Sequence, residues 1–339
     1  MIKLIPEIKY CPGTLAKGFE TYSPVCLKRL FNGKKVNHFL PYSSPGKYED
    51  ESNLFLENRS RISISGVQEK LSIILDKNKL RLTQPGEHGQ YILKPIPHDL
   101  IKTDQVPANE HLTMQIAKQV YGIQTAENSL IFFQDGTPAY ITRRFDVKPD
   151  GTKWGKEDFA TLAGKTAENA GPNFKYDYSY EEVAGLIRKF VPTYRIELEK
   201  FFATVVFNFL FSNGDAHLKN FSLLETEAGD YKLSPAYDLI NTKIHVHDTD
   251  FALDKGLFAD NYQSERKKNT GKISLDDFIE FANRLEIIES RRHKILEPFL
   301  HKQLLVDELI QHSFLTEPVK RAYLLLYQTK RNQLISGLK

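Results

Sequence analysis

Asn213-Gly214-Asp215-Ala216-His217-Leu218-Lys219-Asn220 is the stretch on which the reading of this 339-residue chain turns. It follows an apolar helical pattern and precedes a strand-like run, Phe221 to Leu224, so it reads as a loop at a helix-to-strand junction. Loops held between rigid elements often carry chemistry. A carboxylate, an imidazole, an ammonium and carboxamides crowded into eight positions are costly to hold together unless a site uses them.

Immediately upstream, Leu198, Phe201, Phe202, Val205, Val206, Phe209 and Leu210 form a broad stripe that predicts a helix buried on most sides. Ahead of it, Ser179-Tyr180-Glu181-Glu182 has the spacing of a capping box, followed by Val183, Leu186, Ile187 and Phe190 on one face. Downstream, Ser274-Leu275-Asp276-Asp277 opens another helix, and three further helical patterns fill 287–338.

The first half has a different period. Leu71, Ile73 and Leu75 recur at every second position, as do Ile62 and Ile64 before a glycine-bearing bend; Leu80-Arg81-Leu82 and Tyr91-Ile92-Leu93-Lys94 continue as short strands. Leu112, Ile116 and Val120, between Pro107 and Gly122, predict one short helix. Ser129 to Phe133 and Ala139 to Ile141 read as a hairpin that runs into Arg143-Arg144-Phe145-Asp146. The expected class is α+β and bilobal: an irregular leader over 1–58, a sheet-rich N-terminal lobe over 59–147 and a mainly helical C-terminal lobe over 148–339. The polar segment from Lys148 to Lys175 reads as one that links the lobes or folds back between them.

Composition narrows the function classes. Lys plus Arg (46) barely exceeds Asp plus Glu (43), and the basic residues are dispersed, which argues against direct nucleic-acid binding. The two cysteines, Cys11 and Cys26, are too few for a disulfide framework and lack metal-ligand spacing. No apolar run approaches the ~20 residues that span a bilayer, and Met1-Ile2-Lys3-Leu4-Ile5-Pro6 lacks a signal-peptide core. A cytoplasmic protein with no membrane contact is expected.

The loop chemistry fits phosphoryl transfer, which needs a carboxylate to orient the attacking hydroxyl, oxygen ligands for magnesium and a cation on the nucleotide phosphates. Asp215 followed five residues later by Asn220 has the spacing that kinase catalytic loops use between base and metal-binding amide. Asp238, in Pro235-Ala236-Tyr237-Asp238-Leu239, follows a strand pair and would complete a site of hard oxygen ligands. His245, His247, Asp248 and Asp250 read as a polar loop rather than a transition-metal site, and Tyr176, Tyr178 and Tyr180 as a packing or partner surface without chemistry.

These motifs resemble the HipA family of bacterial toxin kinases. Asp-Ala-His-x-Lys-Asn-Phe-Ser at 215–222, Tyr237-Asp238, Ser63-Ile64-Ser65-Gly66-x-Gln68-x-Lys70 and Ile92-Leu93-Lys94-Pro95 occur here in the family's order, over residues 58–245. The short leader makes the chain look like the compact HipT branch, in which a separate small HipS-like protein supplies the missing N-terminal subdomain. The resemblance implies a protein-kinase-like fold, ATP and Mg2+ as cofactors, Asp215 as catalytic base, and Asn220 and Asp238 as magnesium ligands. It implies Lys94 on the ATP phosphates with Glu110 as its ion-pair partner. The loop carrying Ser63, Ser65, Gly66, Val67, Gln68 and Lys70 would cover the phosphates, and Arg143 to Phe145 would bind adenine through the backbone. Arg143 departs from the family, where an acidic residue is common. His217 and Lys219 are counted with Asp215 among the catalytic-loop residues, their part being loop order and local charge.

By the same resemblance, the protein is expected to be a serine/threonine kinase toxin with a DNA-binding HipB-like antitoxin, an aminoacyl-tRNA synthetase as target and autophosphorylation at Ser63 or Ser65. Two other readings stand beside it. Antibiotic kinases share a Gly-Asp-x-His-x-x-Asn loop, which allows a small-molecule phosphotransferase; a non-catalytic antitoxin-binding corepressor would not need Asp215, Asn220, Asp238 and Lys94 intact.

Overall fold

The computed structural model describes residues 7–45, 69–97 and 100–336. The chain divides into two compact units. The first draws on 1–115, 126–153 and 308–320, the second on 116–125, 154–307 and 321–339.

In the first unit, β1 (Leu71–Asp76), β2 (Lys79–Leu82), β3 (Tyr91–Lys94), β4 (Asn128–Phe132) and β5 (Pro138–Arg143) form one sheet in the order β2-β1-β3-β5-β4. Every pairing is antiparallel, with Leu71 opposite Leu93 and Leu93 opposite Ile141. Alternation sets the faces: Leu71, Ile73 and Leu75 are buried while Ser72 and Ile74 are only partly covered. The β4–β5 turn places Gly136 at φ 79°, a left-handed conformation that glycine adopts without strain. The strand pattern expected at Ile62 and Ile64 lies outside the described residues.

The first stretch of the chain differs from the expected irregular leader. Residues 24–31 form the helix Pro24–Phe31, with the Ser23 hydroxyl accepting from the Cys26 amide, Pro24 in its first turn and Asn32 closing it at φ 53°. Tyr22, Cys26, Leu30, Phe31, Val36 and Leu40 pack with Leu71, Ile73, Leu93 and Ile141 in one hydrophobic cluster. Leu40 donates its amide to the Phe132 carbonyl (2.7 Å) and the His38 carbonyl accepts from Phe132 (2.8 Å), which covers the open edge of β4. The apolar residues are spaced for a tertiary core rather than for one long element, and periodicity does not reveal that arrangement. Cys11 and Cys26 are buried free thiols in this core.

The second unit is built around the helix Tyr194–Leu210, whose Phe201, Phe202, Val205, Val206, Phe209 and Leu210 are all buried, as the stripe predicts. The helix Tyr180–Phe190 carries the expected capping box: the Ser179 hydroxyl accepts from the Glu182 amide and the Glu182 carboxylate accepts from the Ser179 amide. Leu275–Arg284, Glu289–Leu300, Leu304–His312 and Glu317–Ile335 supply the later helices; residues 308–320 belong to the first unit.

The middle segment of the first unit ends at residue 153. The segment read as a link contains β6 (Lys156–Asp158), which pairs antiparallel with β7 (Ser222–Glu225), itself paired with β8 (Tyr231–Leu233). Lys156, Glu157 and Asp158 bury little, so backbone pairing makes this strand and no hydrophobic pattern announces it. Among the described residues no helix is long and apolar enough to cross a membrane.

Candidate active site

In the first unit, Lys94 ends β3 and reaches the helix Val106–Gln119, where its Nζ donates to Glu110 Oε1 at 2.6 Å. Both residues are deeply buried, at 4% and 2% exposure, and the ammonium lies 5.3 Å from the centre of the Tyr140 ring. Desolvating two charges consumes most of their attraction, so such a pair adds little stability that an apolar pair of the same size would not add. Lys70 precedes β1 and is partly buried. Ser63, Ser65, Gly66, Val67 and Gln68 lie outside the described residues.

Arg143 and Phe145 follow at the end of β5. The Arg143 guanidinium donates to Asn32 Oδ1 (2.6 Å) and to the Arg29 carbonyl (3.4 Å), so the residue that departs from the family pattern is bonded to the end of the helix Pro24–Phe31. Arg144 pairs with Asp146 through two hydrogen bonds, and its amide donates to the Gln90 carbonyl, fixing the backbone of this segment.

In the second unit, the loop 213–220 leaves the central helix through Ser212, held at φ 54°. Thr242 latches the exit: its hydroxyl donates to the Ser212 carbonyl (2.9 Å) and accepts from the Gly214 amide (2.9 Å). A side chain at 214 has no room, because a Cβ there falls onto the Asp248 carboxylate and 2.6 Å from the Thr249 carbonyl oxygen. The Tyr180 hydroxyl donates to the Ala216 carbonyl (2.9 Å), the Leu218 amide to Lys175 (3.1 Å), and the Tyr237 hydroxyl to the Lys219 carbonyl (2.9 Å). The loop is thereby fixed from three sides, with Asp215 presented half exposed at 52% of its side chain.

Asp215 Oδ1 accepts the Tyr176 hydroxyl at 2.9 Å. Loss of hydration on its covered side raises its pKa above the usual carboxylate range; Lys175 and the Tyr176 bond oppose the rise, while Asp248 and Asp238 add to it. His217 is buried beside it, with Nε2 3.9 Å from Asp215 Oδ1. Burial, reinforced by Lys175, pulls the imidazole down to about 3, so at neutral pH His217 is uncharged and the contact is not an ion pair. Lys219 sits 6.0 Å from the centre of the Phe174 ring.

Asp238 lies between β8 and the turn at Thr242–Ile244 with φ 56°, a left-handed conformation that is strained for a residue with a side chain. Such strain concentrates at functional sites. Asn220 Oδ1 is shut off from solvent without a hydrogen-bond partner, and a bound cation would satisfy it. One amide oxygen and one carboxylate suit Mg2+, which keeps its remaining positions for water and phosphate oxygens. Among the described residues no group of three or more His, Cys, Asp and Glu is placed to hold a metal ion. Asp250, in the His245–Asp250 stretch, instead joins Lys243 (3.1 Å) and Lys330. A cavity of about 450 Å3 in this unit is walled by Asn208, Ala216, Asn220, Phe221 and Tyr237, yet neither Asp215 nor Asp238 lines it.

Asp215, His217, Lys219, Asn220 and Asp238 therefore fall in one unit, and Lys70, Lys94, Glu110, Arg143 and Phe145 in the other. Sequence reasoning set aside Tyr176, which touches Asp215, and Tyr180, which holds the loop backbone; it passed over Thr242. Tyr176 and Asp215 are 39 positions apart, with no shared motif.

Comparison with known proteins agrees with this architecture. Residues 62–304 match the model of the HipA-like C-terminal domain family. Over 313 residues the chain is 26% identical to a Haemophilus influenzae (Rd) protein provisionally named a kinase, covering 88% of each chain. It is 31% identical over 246 residues to Y4dM of Sinorhizobium fredii, also provisionally named a kinase, covering 68% of this chain and 56% of that one. HipA of Shewanella oneidensis MR-1, solved with HipB and operator DNA, superposes with a TM-score of 0.61 at 20% identity, over 81% of this chain and 66% of that one. Its likeness shows the fold. The chain belongs to the HipA-like C-terminal domain family.

Proposed function

We propose that this protein is a Mg-ATP-dependent serine/threonine protein kinase and the toxin of a toxin–antitoxin pair. The observation that carries the reading is the buried Lys94–Glu110 ion pair at 2.6 Å, an arrangement with little structural advantage and the chemistry needed to set an ammonium on nucleotide phosphates. The provisional kinase names of the Haemophilus and Sinorhizobium relatives point the same way.

In this reading Asp215 orients a serine or threonine hydroxyl and accepts its proton as the hydroxyl oxygen bonds to the γ-phosphorus. The bond from that phosphorus to the β–γ bridging oxygen breaks, and ADP leaves. The elevated pKa of Asp215 strengthens it as a proton acceptor, and neutral His217 adds no competing charge. Asn220 and Asp238 would hold Mg2+, which when bound neutralises charge on the phosphate oxygens. Arg143 to Phe145 would meet adenine through main-chain groups, and the loop from Ser63 to Lys70 would cover the phosphates, with Ser63 or Ser65 as a self-phosphorylation site.

The Shewanella HipA is part of a toxin–antitoxin complex with HipB on operator DNA, which supports a DNA-binding HipB-like antitoxin as partner here. A small HipS-like protein, an aminoacyl-tRNA synthetase as acceptor and a cytoplasmic location extend the proposal on the family resemblance alone. Transfer of the labelled γ-phosphate of ATP, to the protein itself and to lysate proteins, tests the core claim against Asp215→Asn. The expected outcome is labelling by the wild type and loss of at least ~10²-fold in the variant. Equal labelling by both would overturn the assigned base, and labelling of small molecules alone would replace a protein kinase with a small-molecule phosphotransferase.

A further inference from the structure

Tyr176 stands where an acceptor hydroxyl belongs. Its phenol donates to Asp215 Oδ1 at 2.9 Å, within the range a base uses to take a proton from its substrate. The ring has neighbours that favour this position. It meets the His217 ring edge-on at 5.3 Å between centroids, and the Lys175 ammonium lies 4.9 Å from its centre. Its backbone is tied on both sides, with the amide donating to the Asn173 carbonyl (2.9 Å) and the carbonyl accepting from the Asp254 amide (2.9 Å). A turn of the side chain about Cα–Cβ can therefore free Asp215 while the main chain stays in place.

We propose that Tyr176 is a gate on the base: its hydroxyl occupies Asp215 in place of an acceptor, and an entering serine or threonine must displace it before transfer. Building on the kinase reading above, this adds a specificity device to that same site. Water is the commonest wrong acceptor. A single water cannot recover the ring contacts that hold the phenol, so water displaces Tyr176 poorly. A protein acceptor, with contacts of its own around the serine, competes better. Tyr176 acts through Asp215 and is a positioning residue, distinct from the groups assigned to the nucleotide and the metal.

Mg-ATP hydrolysis without added acceptor isolates the effect. In that reaction a water oxygen bonds to the γ-phosphorus, the bridging bond to ADP breaks, and the water proton goes to Asp215. Tyr176→Phe removes only the hydroxyl, and Tyr176→Leu removes the ring as well. Both variants are expected to hydrolyse ATP faster than the wild type, by about tenfold, the factor carried by one hydrogen bond to a charged group. The change should fall in kcat, with KM for ATP unaltered. Hydrolysis at or below the wild-type rate in both variants, with unfolding temperatures unchanged, would overturn the gate and leave Tyr176 as a brace for the carboxylate. If neither wild type nor variants hydrolyse ATP while the wild type still labels protein, the gate alone falls; if labelling of protein is absent as well, the kinase reading fails and the gate falls with it.

Discussion

The Lys94–Glu110 pair allows stability and function to be separated. Their side chains are 5% and 3% exposed, and Nζ and Oε1 are 2.6 Å apart. Removing one partner takes the counter-charge at 2.6 Å away from the other in a dry setting, and breaking a buried pair in this way costs about 3–5 kcal/mol. Against a typical domain stability of about 5–15 kcal/mol, that is a large fraction. Lys94→Met and Glu110→Leu should each shift the urea midpoint strongly downward, read by circular dichroism and by hydrogen exchange of the β3 amides. The double variant replaces the pair with apolar groups of similar volume, so it should recover to within about 1–2 kcal/mol of the wild type. Phosphate transfer should be lost in all three. A single variant that costs under about 1 kcal/mol, or a double variant no better than the singles, would refute the claim that these charges are desolvated and mutually dependent. A stable double variant that still transfers phosphate would instead remove Lys94 from the nucleotide.

Two further outcomes follow from single positions. His111 is buried with its Nε2 at the Gly13 carbonyl, and burial lowers its pKa to about 4 from 6.5. Between those values the unfolded chain binds the proton that the folded chain refuses. Stability from this group is thus complete above pH 6.5 and lost as pH falls toward 4, by up to about 1.4 kcal/mol per pH unit; His111→Leu should unfold with a flatter acid limb in urea titrations, and an unchanged slope would count against the neutral histidine. Gly214→Ala drives a methyl into Asp248 and the Thr249 carbonyl. It should cost about 1–3 kcal/mol in thermal unfolding and at least ~10-fold in transfer rate by shifting Asp215, and a full-rate variant would show that the loop tolerates the displacement.

Local signals were legible where one element carried its own chemistry. The stripe from Leu198 to Leu210 announced a buried helix, Ser179 to Glu182 its capped neighbour, and the alternation of Leu71, Ile73 and Leu75 an antiparallel sheet. β6 was not legible, because Lys156, Glu157 and Asp158 bury little and are ordered by hydrogen bonds to β7. The helix Pro24–Phe31 was missed for a related reason: its eight residues pack onto strands some forty positions away, and its own period is too short to register.

The candidate site divides in the same way. The order Asp215, His217, Asn220 and Tyr237-Asp238 in one chain is enough to suggest phosphoryl transfer and the family, because the spacing of ligand and base is set by a single loop and the strand pair after it. Only the folded chain decides how that loop is held and what touches it. The Thr242 and Tyr180 hydrogen bonds to it span 28 and 36 residues, so no short window of sequence contains them and tertiary packing alone brings the partners together. The left-handed turn at Asp238 and the orphaned Asn220 oxygen are likewise products of the surrounding fold. Tyr176 read in sequence as one of three alternating aromatics; in the structure its hydroxyl sits on Asp215. Chemistry types are written in the chain, whereas their contacts depend on where distant segments meet.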